Sequence, residues 1–220
     1  DELIEKGDFY NVFKKLEYNE IMPEDTWIDI VDYNQFLIEN KIERIDQKVL
    51  QEILETTVNT AKREIRGQYA TPYCLADLLC QMAVNNWNDE CADLCAGTGT
   101  IARAVIKNKM KRIHNSETAF QTTWIADKYA YPLQIANIAV TSIEALNIPL
   151  NMFQSDVFAV NCYDKIEIKS PIDGSGIEKK IPAFGAVISN LPFVEYNKIA
   201  VDEVDHIARY KQQIKNETGI

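Results

Sequence analysis

The sequence predicts an α/β fold in which a parallel sheet follows an N-terminal helical region. From residue 67 onward, helical patterns alternate with short apolar strands, which is typical of parallel sheets with helical crossovers. Polar residues follow the carboxyl ends of these strands, where such sheets place their ligand sites. With 220 residues, of which 46% are hydrophobic, the chain is large enough to bury a substantial core.

The first region, residues 1–66, is predicted to be helical. Apolar residues recur there at helical spacing in stretches that begin near Leu3, Ile28 and Val49. We interpret these stripes as packing surfaces, because the region shows no recognisable chemistry. Residue 1 is Asp rather than Met, so a trimmed start is expected.

The second region, residues 67–220, carries the alternating elements. Its helices are predicted at 71–87, 100–110, 131–146 and 201–214. Its strands are predicted at 90–94, 122–126, 151–154 and 184–188. The segments 166–168 and 177–181 flank an Asp-Gly-Ser-Gly turn and predict a β-hairpin. With four strands and a trailing charged helix, this domain is expected to be truncated at its C-terminus.

The negative net charge of this chain disfavours binding to the phosphates of nucleic acids. The formal net charge is −10, whereas nucleic-acid binding depends on Lys and Arg. Residues 1–66 carry −7 and residues 67–220 only −3, so the acidity belongs mostly to the helical region. One basic run, interpreted as a solvated helix end, consists of Lys107, Lys109, Lys111 and Arg112.

Composition also bears on location and metal binding. No apolar run approaches the length of a membrane span and no secretion signal is visible, so a cytoplasmic protein without a membrane partner is expected. The five cysteines and two histidines lack zinc-ligand spacing, and no metal site is predicted. We interpret the cysteines as reduced core residues.

Three acidic residues follow three successive predicted strands. Asp93 precedes the turn formed by Gly97 and Gly99, and a carboxylate there suits a cationic group such as an α-amino group. Asp127 can accept the two hydroxyls of a ribose. Asp156 can accept the exocyclic amine of a purine. Asp127 and Asp156 can equally be helix caps or turn residues, so the argument depends on their shared position at strand ends.

The segment Asn190-Leu191-Pro192-Phe193 is unusual for the end of a buried strand. Pro192 cannot donate to a sheet and makes the turn rigid. The Asn190 side chain and the Leu191 carbonyl offer two acceptors for one NH2 group, and Phe193 offers a flat face for a planar ring. The alternative interpretation is a tight turn that carries a core Phe.

In this order, the motifs resemble those of the N6-adenine DNA methyltransferases. The family motif GQ(F/Y)xTP corresponds to Gly67-Gln-Tyr-Ala-Thr-Pro72, and the motif DPxxGxG corresponds to the turn Asp93–Gly99. Two further acidic positions correspond to Asp127 and Asp156, and NPPF or NPPY corresponds to Asn190–Phe193. The resemblance covers about residues 67–193 and is closest to modification subunits of type I restriction systems and their type II relatives. It implies a Rossmann-like sheet that binds S-adenosylmethionine.

The resemblance also implies residue roles. The catalytic residues would be Asn190, Leu191, Pro192 and Phe193. Cofactor would be bound by Tyr69, Thr71, Asp93, Gly97, Gly99, Asp127, Asp156, Val157 and Phe158. Within that set, Tyr69 and Thr71 would border the methionine moiety, and Asp127 would hold the ribose.

The implied partners are DNA with a flipped target adenine, a specificity subunit or target-recognition domain, and a restriction nuclease, fused or associated. The chain departs from the pattern at Leu94 and Leu191, which replace prolines, and at Asp127, where Glu is commoner. Methylation of rRNA adenine or of a protein glutamine remains an alternative, because Asn-x-Pro-aromatic sites serve those reactions too. A cofactor-binding module without turnover is the non-enzymatic alternative.

Overall fold

In the computed structural model, the described residues are 71–142, 147–192 and 201–219, with six residues nearer the N-terminus. Those six are helical: Ile28, Val31, Asp32, Gln35, Phe36 and Glu39. The other helical stretches predicted within residues 1–66, and the boundary at residue 67, lie outside the described residues. Residues 71–190 belong to one compact unit, and residues 191–219 belong to a second.

The first unit alternates helices and strands as predicted. Its helices are α1 (Tyr73–Ala83), α2 (Thr100–Ile113), α3 (Ser116–Gln121) and α4 (Ala130–Val140), and a short 3-10 helix spans Val157–Ala159. Its strands are β1 (Cys91–Asp93), β2 (Thr123–Asp127), β3 (Asn151–Gln154), β4 (Lys165–Lys169), β5 (Gly176–Lys180) and β6 (Ala186–Val187). In the second unit, α5 spans Val201–Thr218.

Four of the strands form one parallel sheet, in the order β3-β2-β1-β6. The central strand β1 pairs with β2 through Cys91 opposite Thr123, and with β6 through Cys91 opposite Ala186. Parallel neighbours require long crossover connections. Helices α2 and α3 lie in the connection from β1 to β2, and α4 lies in the connection from β2 to β3. The predicted α/β class with a parallel sheet is therefore confirmed.

The sheet separates two apolar layers. Alternate strand residues such as Cys91 and Ile125 pack with α1, α2 and α4 on one face. The intervening residues, Ala92 and Trp124 among them, pack on the other face against Ile181, Ile166 and Phe184 around the β4–β5 hairpin. This alternation follows from the two-residue repeat of a strand.

Several helices differ from the prediction. Helix α4 ends at Val140 rather than at residue 146, because the backbone of Thr141 is extended. Helices α2 and α5 run on to Ile113 and Thr218 rather than ending near residues 110 and 214.

Helix α1 ends at Ala83 rather than near residue 87: the backbone of Val84 is extended, and a turn follows in which the Asn86 side chain accepts the Asn88 N–H at 3.2 Å. Helix α3 was not predicted, although Asn115 caps it by accepting the Thr118 N–H at 2.9 Å. The Asn-Ser-Glu-Thr sequence was the available signal.

The interpretation of residues 107–112 as a solvated helix end is wrong for Lys109. Its side chain is fully buried, and its Nζ donates to Asp89 O at 2.6 Å, Thr122 O at 2.9 Å and Thr122 Oγ1 at 2.6 Å. The ammonium group thus joins α2 to the segments that precede β1 and β2. Burial lowers the pKa of Lys109. Lys111, two residues later, is exposed.

Cysteine placement is mixed. All five are free thiols; Cys80 and Cys91 are buried as expected, but Cys74 and Cys162 are exposed.

None of the helices in the described part of the chain has the length and apolar character that a membrane span requires.

We predict that Lys109→Met lowers the free energy of unfolding by about 2–4 kcal/mol, because it removes the three hydrogen bonds by which the buried ammonium group joins α2 to the segments before β1 and β2. Lys111→Met, on the same helix, should change it by less than about 0.5 kcal/mol. Urea unfolding of the two variants and the wild type measures both values. Equal small effects would show that the Lys109 bonds contribute nothing to stability.

Candidate active site

The parallel register brings the predicted strand-end residues to one edge of the sheet. Asp93 ends β1, Asp127 ends β2, and Asp156 follows β3 by two residues. Ser189 and Asn190 follow β6, which lies on the other side of β1. This edge therefore carries three carboxylates, an amide and a hydroxyl in the order of the strands.

Asp127 holds the glycine turn that follows β1. Its Oδ2 accepts the Gly97 N–H at 2.8 Å, and its Oδ1 accepts the Tyr129 N–H at 2.9 Å. Burial raises the pKa of Asp127, and these backbone N–H groups oppose that shift. The sequence did not predict this supporting role. Each carboxylate oxygen has a second lone pair, so hydroxyl groups of a ligand can still be accepted.

The two glycines of the turn serve different purposes. Gly97 has φ +53°, and a Cβ built there meets nothing within 4 Å, so open space lies above it. Gly99 has φ +85°, and a Cβ there would meet Cα and Cβ of Ala136 on α4 at 2.8 Å. Gly99 therefore permits packing of the α2 N-terminus on α4, whereas Gly97 leaves room for a ligand beside the backbone.

Asp93 is the most deeply buried acidic residue of this edge, with 2% of its surface exposed. Neither carboxylate oxygen has a hydrogen-bond partner of good geometry. Desolvation raises the pKa of Asp93 to about 7, and the nearby Asp127 carboxylate adds to this, while the Ser189 hydroxyl and the Cys95 N–H favour the charged form. Burial thus favours the protonated form of Asp93 well above the pH at which an exposed Asp loses its proton.

Asp156 lies nearer the surface and makes local contacts. Its Oδ1 accepts the Phe158 N–H at 3.1 Å, which caps the 3-10 helix, and its Oδ2 pairs with Lys128 Nζ at 3.3 Å. Asp156 is therefore the helix cap that the sequence analysis gave as its alternative role. Val157 is half-buried and Phe158 is 51% exposed. A role for these three residues in cofactor binding stays a prediction.

Asn190 is held from two sides. The Asn190 Nδ2 donates to Thr71 Oγ1 at 3.0 Å, although the two residues are 119 apart in sequence. The preceding residue, Ser189, accepts the Leu94 N–H on its hydroxyl at 2.9 Å. Sequence reasoning assigned Thr71 to the cofactor and gave Ser189 no role, and it therefore missed both contacts.

Several predicted site residues are not placed on this edge. Tyr69 and Phe193 lie outside the described residues. Leu191 and Pro192 are exposed and belong to the second compact unit. Their predicted roles stay predictions.

The chemistry available at this edge is hydrogen bonding, in which the carboxylates accept and the Asn190 amide and the Ser189 hydroxyl can both donate and accept. Cys95 lies in the glycine turn, and burial with nearby Asp127 and Asp93 raises the pKa of its thiol to about 12, so it is a poor nucleophile at neutral pH. Within the described residues, no group of three or more His, Cys, Asp or Glu side chains is arranged to hold a metal ion. The edge can orient amino and hydroxyl groups of a ligand.

We predict that Asp93 makes stability depend on pH. The folded state binds a proton between pH about 4 and about 7 that the unfolded state has lost, so the Asp93 contribution falls as pH rises through that window. Relative to Asp93→Asn, the wild type should lose about 2–3 kcal/mol of unfolding free energy between pH 5 and pH 7. Guanidinium unfolding of both proteins measures the difference. A difference that does not change with pH would contradict the raised pKa that burial gives Asp93.

Comparison with known proteins gives no family for this chain. No protein-family model matches it, and no curated protein matches it. The geometry of the sheet edge and the sequence motifs are therefore the observations from which a function is argued.

Proposed function

We propose that this chain is the catalytic part of a DNA adenine N6-methyltransferase that uses S-adenosylmethionine. The observation that carries the proposal is the Asn190 amide, which Thr71 and the end of β1 hold at the edge that also bears the glycine turn. Support also comes from the order of the motifs between Gly67 and Phe193, which resembles that of this enzyme class.

The residues of the glycine turn fit such a cofactor. Open space above Gly97 admits a ligand against the backbone, and Asp127 fixes the turn in that conformation. The orphaned carboxylate of Asp93, at the start of the turn, is the kind of group that an ammonium ion nearby would stabilise in its charged form. When bound, S-adenosylmethionine supplies a methyl group on a positively charged sulfur.

On the target side, the chain has to orient an amine that is a poor nucleophile. The lone pair of the adenine amine is delocalised into the ring. A hydrogen bond from this amine to the Asn190 carbonyl, and a second to the Leu191 carbonyl, would favour pyramidal nitrogen with more electron density on the lone pair. Asn190 and the Leu191 carbonyl would hold the amine for a direct transfer, in which the new N–C bond replaces the S–CH3 bond, the thioether S-adenosylhomocysteine leaves and the amine proton passes to water, with no covalent enzyme intermediate.

Positioning supplies much of the rate in such a reaction. In duplex DNA the adenine must leave the stack to reach this edge, and stacking on Phe193 would offset part of the cost. The net charge of −10 supports a further part of the proposal, that a specificity subunit or target-recognition domain supplies the basic surface for DNA. A restriction nuclease, fused or associated, and a cytoplasmic location complete the proposed setting.

The direct test is transfer of radiolabelled methyl groups from S-adenosylmethionine by the full-length protein. DNA, RNA and protein are offered as separate substrates, and labelled N6-methyladenine in DNA is the expected product. Labelling of RNA or of protein glutamine instead would replace the proposed substrate. Cofactor binding without transfer to any of the three would contradict the proposed activity.

We predict that Asn190→Ala lowers methyl transfer at least 100-fold and changes S-adenosylmethionine affinity less than about threefold, because Asn190 contacts the target. Asp156→Ala should do the reverse and weaken cofactor binding first. Lys128→Met serves as a control, since it removes the ion pair of Asp156 and keeps its carboxylate. Titration calorimetry and single-turnover transfer measure the two quantities. Loss of cofactor affinity in Asn190→Ala would show that the assignment is wrong.

We predict that Gly97→Ala weakens S-adenosylmethionine binding at least tenfold at a folding cost of about 1–2 kcal/mol, because its methyl group enters the open space above the turn. Gly99→Ala should instead cost more stability, because its Cβ would overlap Ala136. Calorimetric binding and urea unfolding of both variants separate the effects. Unchanged affinity in a folded Gly97→Ala protein would place the cofactor elsewhere.

A further inference from the structure

The hydrogen bond between Thr71 and Asn190 joins the start of α1 to the segment that follows β6. The distance from Asn190 Nδ2 to Thr71 Oγ1 is 3.0 Å, and both residues are half-buried. Thr71 precedes Pro72, which restricts the backbone of the residue before it to extended conformations. The Thr71 hydroxyl is therefore presented from a segment with little conformational freedom.

That segment is anchored by the core of the first unit. Pro72 is the N-cap residue of α1, and its carbonyl accepts the N–H groups of Leu75 and Ala76 at 3.0 Å. Ala76 and Cys80 of α1 are fully buried and belong to one core cluster with residues of β1, α2 and β6. The position of Thr71 is thus tied to the same cluster that supports the strand leading to Asn190.

The backbone of the Asn190 segment is fixed by β1. The Ile188 N–H donates to Ala92 O at 2.8 Å, and the Leu94 N–H donates to Ser189 Oγ at 2.9 Å. These bonds carry the pairing of β6 with β1 to the residue immediately before Asn190. These bonds fix the position of the backbone beside Asn190. They do not determine the rotation of the Asn190 side-chain amide, which decides where its NH2 group and its carbonyl oxygen lie.

The two ends of an Asn amide have opposite chemistry. The NH2 group only donates hydrogen bonds and the carbonyl oxygen only accepts them, so a rotation of 180° about the last side-chain bond exchanges donor and acceptor. In the observed arrangement the NH2 end is bound to Thr71, and the carbonyl end is directed away from Thr71. A target amine needs the carbonyl end.

We infer that Thr71 is a positioning residue that holds the Asn190 amide in the observed orientation, with the NH2 group on Thr71 Oγ1, so that the carbonyl oxygen accepts the target amine. This inference rests on the proposed function. It also gives Thr71 a role different from the contact with the cofactor that the resemblance implies. The Thr71 hydroxyl acts through Asn190 and touches neither substrate.

Three variants test it in the full-length protein, with S-adenosylmethionine and DNA as the substrates used. Thr71→Val keeps the shape of the side chain and removes the acceptor, and it should lower kcat about tenfold or more, which corresponds to the loss of one hydrogen bond of about 1.4 kcal/mol. The KM and Kd for S-adenosylmethionine should stay within about twofold. Thr71→Ser, which restores the hydroxyl, should recover kcat to within about threefold of the wild type.

Thr141→Val is the matched control. The Thr141 hydroxyl donates to Asn137 O at 2.6 Å at the far end of α4, and Thr141 is half-buried like Thr71. Its kcat should equal that of the wild type. A Thr71→Val protein with weakened S-adenosylmethionine binding and unchanged kcat would overturn the inference and assign Thr71 to the cofactor.

A second measurement does not depend on activity, so it separates this inference from the proposed function. In 15N-labelled protein, the side-chain NH2 protons of Asn190 should exchange with solvent about tenfold faster in Thr71→Val than in the wild type, and Thr71→Ser should not differ. Equal exchange in all three proteins would overturn the positioning role. If exchange changes as expected but the wild type methylates none of DNA, RNA and protein, the proposed function fails and the Thr71–Asn190 pairing stands.

Discussion

The pairing of β1 with parallel neighbours on both sides is the constraint on which the site depends. Only three residues of β1 are in strand conformation, yet they set the register of β2 on one side and β6 on the other. Because all three strands point the same way, their carboxyl ends meet at one edge, and Asp93, Asp127 and Asn190 are brought together from distant parts of the chain. No single segment of the sequence contains this site.

Much of the fold was predictable because its signals are local. The strand at 151–154 has the predicted bounds, and the hairpin β4–β5 forms around the predicted glycine-rich turn. Apolar periodicity and turn residues determine such elements over a few residues. Helix α3 and the early end of α1 were missed, because neither the Asn115 cap nor the extended backbone at Val84 changes the apolar pattern.

The position of the site residues at the strand ends was predictable, and their contacts were not. Strand-end carboxylates and Asn190 are visible in the sequence because they interrupt apolar runs. The bond from Asn190 to Thr71 has no local signal, since it depends on how α1 packs. Burial of Lys109 was hidden for a similar reason: periodicity counts a lysine as polar, and only the tertiary structure supplies the three oxygens around its ammonium group.

The bond from the Gly97 N–H to Asp127 has an energetic consequence for any ligand that approaches the turn. The left-handed backbone at Gly97 is held in place by a buried carboxylate of the neighbouring strand, so it is organised before binding. A ligand that meets a preorganised turn loses no free energy in ordering it, and more of the contact energy appears as affinity. The same bond makes binding sensitive to β2, because a shift of Asp127 would release the turn.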